Sequence, residues 1–265
     1  MCNTRNIPLM VWDIAWDFRY NLSGGNMGCQ MANLSASPSV NWRTGITLVL
    51  NPLFLGLTLF IPAGRLDWLA AWIYIMVQTL TLVISRIVVW RVHPDLLVER
   101  SHAFDRRDEK RWDRPLVMLV ALVGPLVMAI VAGLDMRYDW SSGISALAQV
   151  IALIVLVAGY ALGSWAMAVN RFYSATVRIQ TDRGHRVVSN GPYAFVRHPS
   201  YIGGAIAYLA LPLLLGSWWA LIPSVLTTAV LILRTALEDR TLLAELHGYA
   251  EYAQRVRYRL VPGVW

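Results

Sequence analysis

Residues 144–169 read ISALAQVIALIVLVAGYALGSWAMAV, an uncharged run longer than the roughly 20 residues a helix needs to cross a hydrocarbon core. A bilayer offers no water to backbone N–H and C=O groups, so a run of this kind predicts an α-helix that satisfies them internally. Working outward, comparable apolar runs occupy 46–63, 68–89 and 116–134 before it, and 201–215 and 218–233 after it. The last two are short and meet at Gly216-Ser217, which predicts a tight helical hairpin. Composition agrees: with 57% hydrophobic and 15% charged residues among 265, there is too little polar surface to cover a soluble globule of this size. The expected fold class is an all-α polytopic membrane protein with about six transmembrane helices, a cytosolic loop before the hairpin and a C-terminal amphipathic helix.

The net charge of +7 would suggest nucleic acid if the cations formed one face, but they do not. They cluster between the apolar runs. Residues 86–114 hold eight basic side chains, 170–200 hold five and 234–265 hold five, whereas the alternate connections hold Arg65, Arg137 and none. Excess Lys and Arg mark cytoplasmic loops, so both termini and both large loops are expected on the cytosolic side. This divides the chain into a polar tail at 1–43, expected to be disordered, with Met27 and Met31 as alternative starts. Four spans follow at 44–169, with a basic loop at 90–114, and then a polar-rich core at 170–265. Cys2 and Cys29 both lie in the tail, and the five histidines never fall at metal-ligand spacing, so no metal is expected.

The sharpest chemical signal is GPYAFVRHPSYIGG at 191–204, where a loop enters a span. Arg197 can grip a carboxylate bidentately and His198 can add a hydrogen bond. Pro199 suits a first helical turn, which leaves free N–H groups for an anion, and Gly203 and Gly204 allow a helix or ligand to approach the backbone. An Arg-His pair that snorkels to lipid headgroups is the plainer alternative. Glu238 and Asp239 form a second polar group beyond the last span. They could accept from ribose hydroxyls or an ammonium, or could serve the N-terminal dipole of a C-terminal helix, for which Thr235-x-x-Glu238 reads as a capping box. Leu242, Leu246, Tyr249, Ala253 and Val256 recur at helical spacing along that helix. Gly159-x-x-x-Gly163 predicts close helix packing, Gly124-Pro125 predicts a break in the third span, and TVRI with RVV around Asp182-Arg183-Gly184 predicts a small hairpin or ordered loop.

The 191–204 motif, followed about 35 residues later by LEDRTLL and LHGYAEYAQRVRYRLVPGVW, resembles the isoprenylcysteine carboxyl methyltransferase and phospholipid methyltransferase family from about residue 170 to the end. That resemblance implies a cofactor pocket for S-adenosylmethionine opening to lipid. It also implies a lipid or prenylated small-molecule or peptide acceptor within the membrane lipids, here of a bacterial inner membrane. Tyr193, Arg197, His198, Pro199, Tyr201, Gly203 and Glu238 fall on its motif sites, with Asp239 where a second glutamate is usual and a compressed Gly248-Tyr249-x-x-Tyr252. Arg197 and Glu238 are the catalytic candidates it suggests. An NADPH-dependent sterol-type membrane reductase shares the Arg-His-Pro turn, but Ser200 and Gly204 stand where its pattern has Asn and Glu. A non-catalytic scaffold or transporter would place ionisable side chains inside the spans, which here hold almost none.

Overall fold

The computed structural model describes residues 42–93, 96, 109–141 and 143–265, with side chains from Ile46 onward. The expected disorder of residues 1–41 and most of the basic loop fall outside that set. Seven helices are described: α1 (Trp42–Ala63), α2 (Leu69–Val92), α3 (Asp113–Tyr138), α4 (Ala146–Val169), α5 (Pro199–Leu215), α6 (Leu221–Glu245) and α7 (Tyr249–Arg255). No strand occurs among the described residues. The segment between α4 and α5 is an ordered loop with 3-10 turns at Thr181–Arg183 and Gly191–Ala194.

Five helices, α1 to α4 and α6, are long and apolar enough to cross a membrane, and α5 is a shorter apolar helix of 17 residues. Their outward side chains, such as Val49, Leu80, Ile154 and Leu226, remain exposed, as suits surfaces wetted by lipid rather than water. Inward, Leu59, Ala71, Tyr74, Leu156, Ala207 and Leu211 form the main core.

Two expectations need correction at the C-terminal end. The last span does not stop at 233: α6 runs unbroken for 25 residues to Glu245, so Glu238 and Asp239 sit within it and not at the start of a new helix. No glycine or proline interrupts 224–247, and the charges that read as a membrane exit are compensated inside the protein. The capping box is absent for the same reason, since the Thr235 hydroxyl donates back to the Leu231 carbonyl at 2.8 Å. The amphipathic pattern is split by Gly248 in the left-handed conformation (φ 79°), which leaves α7 as a separate seven-residue helix. Leu246, Tyr249, Tyr252 and Val256 nevertheless bury together, against Ile179, Val187 and Leu242.

Small residues set the registers that position the site. A Cβ on Gly159 would lie 2.6 Å from the Gly203 carbonyl oxygen, and one on Gly203 would lie 2.9 Å from the Gly163 nitrogen. The Gly159-x-x-x-Gly163 face of α4 is thus filled by the backbone of α5. In α3 the Gly124-Pro125 break takes the form of a π-turn at Leu119–Val123. Proline removes a donor to the preceding turn, and the Val120 carbonyl accepts from the Tyr208 hydroxyl of α5 at 2.7 Å instead.

Candidate functional site

The Arg-His-Pro turn is held by its backbone. The Arg197 N–H donates to the Tyr258 carbonyl at 2.9 Å and that of His198 to Arg259 at 3.0 Å, after which Pro199 opens α5. The preceding loop is fastened by side chains: the Tyr252 hydroxyl donates to the Tyr193 carbonyl at 2.7 Å, and Asn170 Nδ2 donates to the Tyr193 hydroxyl at 3.2 Å. Burial pushes the Tyr193 phenol up, so it stays protonated. Loop, turn and C-terminal segment therefore form one hydrogen-bonded body.

Two carboxylates organise the charges beneath it. Asp239, fully buried, receives Arg259 Nε at 2.7 Å and the Tyr249 hydroxyl at 2.9 Å, with His198 Nε2 at 3.3 Å. Arg197 Nε lies 3.1 Å from the same carboxylate, near enough to pair electrostatically but without hydrogen-bond alignment. The two terminal nitrogens of Arg197 have no hydrogen-bond partner among the described residues. The second carboxylate is Asp113, at the start of α3. It binds Arg234 of α6 in a fork, Nε to Oδ1 at 2.7 Å and a terminal nitrogen to Oδ2 at 3.1 Å, and also accepts the Val177 N–H at 2.6 Å. The Arg234 guanidinium lies 5.3 Å from the Tyr201 ring centre, and the Tyr201 hydroxyl donates to Glu238. His198 stacks on the other side of Tyr201, 5.7 Å between ring centres and 4° from parallel.

Between these groups lies a cavity of about 260 Å³. Its lining combines apolar Val117, Val120 and Ala121 of α3, the last two within the π-turn, with polar Arg197, His198, Tyr201 and Glu238. Phe172 and His185 add an aromatic pair at 4.7 Å. Burial, then the nearby Arg178 and Arg183, lowers the His185 pKa to about 4, so the ring is neutral at pH 7 and its Nδ1 accepts the Gln180 N–H at 3.3 Å.

Of the residues singled out from sequence, the structure brings Tyr193, Arg197, His198, Tyr201 and Glu238 to the cavity wall. It places three elsewhere. Pro199 is buried in the first turn of α5, Gly203 faces α4, and Asp239 stands behind Arg197 and His198. Sequence reading missed Asp113, Arg234, Phe172 and His185, and saw Tyr249 and Tyr252 only as part of a motif without a place in the site. The one available signal was the absence of glycine or proline across 224–247, which lets the last helix continue and carry Arg234 inward.

The class these features define is an all-helical, multi-pass membrane protein with a charged, loop-covered cavity bounded by α3, α5 and α6. Residues 151–244, about a third of the chain, match the family model of the isoprenylcysteine carboxyl methyltransferase (ICMT) family. The fold is similar to the structure of the eukaryotic intramembrane Ras methyltransferase ICMT (isoprenylcysteine carboxyl methyltransferase) without a monobody, with a TM-score of 0.51, 17% identity and 84% of each chain covered. No curated protein matches the sequence. The matched segment contains the Arg-His-Pro turn, Arg234, Glu238 and Asp239, while Asp113, Tyr249 and Arg259 lie outside it. The family match is confined to residues 151–244, and the structural likeness shows a shared fold.

Proposed function

We propose that the protein is a membrane methyltransferase that uses S-adenosylmethionine to methylate a lipid-like acceptor, an isoprenylcysteine-type carboxylate or a lipid amine. The observation that carries this reading is Arg197, a buried guanidinium whose terminal nitrogens point to no protein partner on the wall of a cavity. Donors that line a cavity without a protein acceptor are left for a ligand, and a carboxylate fits the guanidinium fork. Glu238 adds the complement: one oxygen takes the Tyr201 hydroxyl, and the other has no partner among the described residues, which suits an ammonium or a ribose hydroxyl. The residues thus fit an amino-acid-bearing cofactor.

S-adenosylmethionine, when bound, supplies a methyl on a sulfonium that is already an activated leaving group. What remains for the chain is alignment and exclusion of water. Arg197 and Glu238 would orient the cofactor, Tyr193, His198 and Tyr201 would line its pocket, and Asp239 would hold Arg197 and His198 in place. Val117, Val120 and Ala121 suit the hydrocarbon part of an acceptor arriving from lipid. A carboxylate acceptor arrives ionised and needs no base, whereas an amine must lose a proton, for which Glu238 or His198 stands within the wall. The bias of basic residues puts this cavity and both termini on the cytosolic side.

The test is calorimetric titration of S-adenosylmethionine into detergent-purified protein, with NADPH in parallel. Saturable binding of S-adenosylmethionine alone is expected, and Arg197→Ala and Glu238→Ala should each abolish it while the protein still extracts folded. NADPH binding alone would replace this reading with a membrane reductase, and unchanged binding in both variants would remove the site assignment.

A further inference from the structure

Asp113 lies outside the segment that carries the family match and does not line the cavity, yet three elements converge on it. It starts α3, it forks Arg234 of α6, it accepts the Val177 N–H of the loop, and through Arg234 it reaches the Ala175 carbonyl at 2.9 Å. It is fully buried, and Arg234 keeps only 7% of its surface. The guanidinium so fixed presents its face to Tyr201, whose hydroxyl donates to Glu238. Three contacts therefore connect a carboxylate on α3 to one on the cavity wall.

We infer that Asp113 is a positioning residue of the cavity: by clamping Arg234 it fixes Tyr201, and through Tyr201 it sets the direction of the Glu238 carboxylate. The inference rests on the proposed role of that cavity in holding S-adenosylmethionine. An arginine on a flexible stem has many rotamers, and a fork to a carboxylate selects one of them. Without Asp113 the guanidinium is free to turn toward the nearest remaining anion, which is Glu238 itself, and would capture the group it now helps to aim.

The distinguishing measurement is a double-mutant cycle of Asp113→Asn and Glu238→Gln, which keeps an acceptor oxygen that Glu238→Ala removes and so retains measurable affinity, read both as S-adenosylmethionine affinity and as thermal stability of the unliganded protein in the same detergent. A positioning role predicts that Asp113→Asn weakens binding about tenfold and that most of this loss disappears in the Glu238→Gln background, because coupled residues are not additive. Asp113→Glu, which keeps the charge and can still reach Arg234, should restore most of the affinity, and Arg234→Lys, which keeps the cation but cannot fork, replaces Asp113→Asn in the cycle if that variant does not fold. As a control, Asp135→Asn at the opposite end of α3 should lower stability and leave affinity unchanged. Additive effects in both readouts would overturn the inference. Wild-type protein that fails to bind S-adenosylmethionine but shows coupled stabilities would sink the cofactor reading and leave the positioning role standing.

Discussion

α3 carries a buried carboxylate at each end, and the two are satisfied by different chemistry. Asp113 is neutralised by a forked arginine from α6 and a loop N–H. Asp135 has no such cation among the described residues: it accepts from the Ser141 backbone N–H at 2.7 Å and from the hydroxyls of Ser141 and Ser217. Ser141 in turn takes the Trp218 N–H at 2.9 Å, and Ser217 the Ala220 N–H at 3.0 Å. The Asp135 end is thus a clasp between two turns, made of short side chains with few rotamers. The Asp113 end is made of long charged side chains beside a cavity, where each rotamer matters to whatever binds there. Charge compensation by arginine ties a helix to a site; compensation by hydroxyls ties it only to its neighbours.

The sharpest break in this comparison is Arg234→Met. It leaves Asp113 buried without a cation, and removing one partner of a buried pair costs about 3–5 kcal/mol. Adding Asp113→Asn should recover a large part of that loss in unfolding experiments in detergent, because the stranded charge goes too. At the other end Ser217→Ala removes one hydroxyl from Asp135 and should cost about 1–3 kcal/mol, with cofactor affinity unchanged. A change in affinity there would mean the two ends of α3 are not independent.

The smallest expected effect is a pH dependence confined to the site end. His185 sits between Phe172 and the arginines Arg178 and Arg183, and its pKa falls from the ordinary 6.5 to about 4. Between those values the unfolded chain binds a proton that the folded one refuses. Stability from this group is complete above about pH 6.5 and is lost as pH falls toward 4. His185→Gln should flatten the stability profile across that window, and an unchanged slope would assign it to other groups.

The spans were legible because each is a long apolar run with at most one charge, and five helices of spanning length lie where those runs were read. The final hairpin was legible in kind but not in length. Charge ends a span only when water or headgroups must receive it, and Arg234 and Asp239 find their partners inside the protein. Sequence adjacency made Tyr193, Arg197, His198 and Tyr201 visible as one motif, and the cavity wall contains all four. Asp113 and Arg234 could not be matched, since 121 residues separate them and each looks like an ordinary loop charge. Gly203 was visible as a small residue, but spacing alone cannot say whether a ligand or a helix fills the space it leaves.

That space has a consequence for anyone reshaping the protein. The contact of Gly203 with Gly159 and Gly163 is backbone against backbone, so no shortened side chain across the interface can make room for a larger residue at 203. The helix it fixes begins at Pro199, one residue after His198, so this glycine seam sets how far the Arg-His pair projects over the cavity. Pocket libraries that vary 191–204 as a block would disturb the mounting together with the reactive groups. A library that holds 159, 163 and 203 constant separates the two, and variation in acceptor preference can then be read from the cavity wall alone.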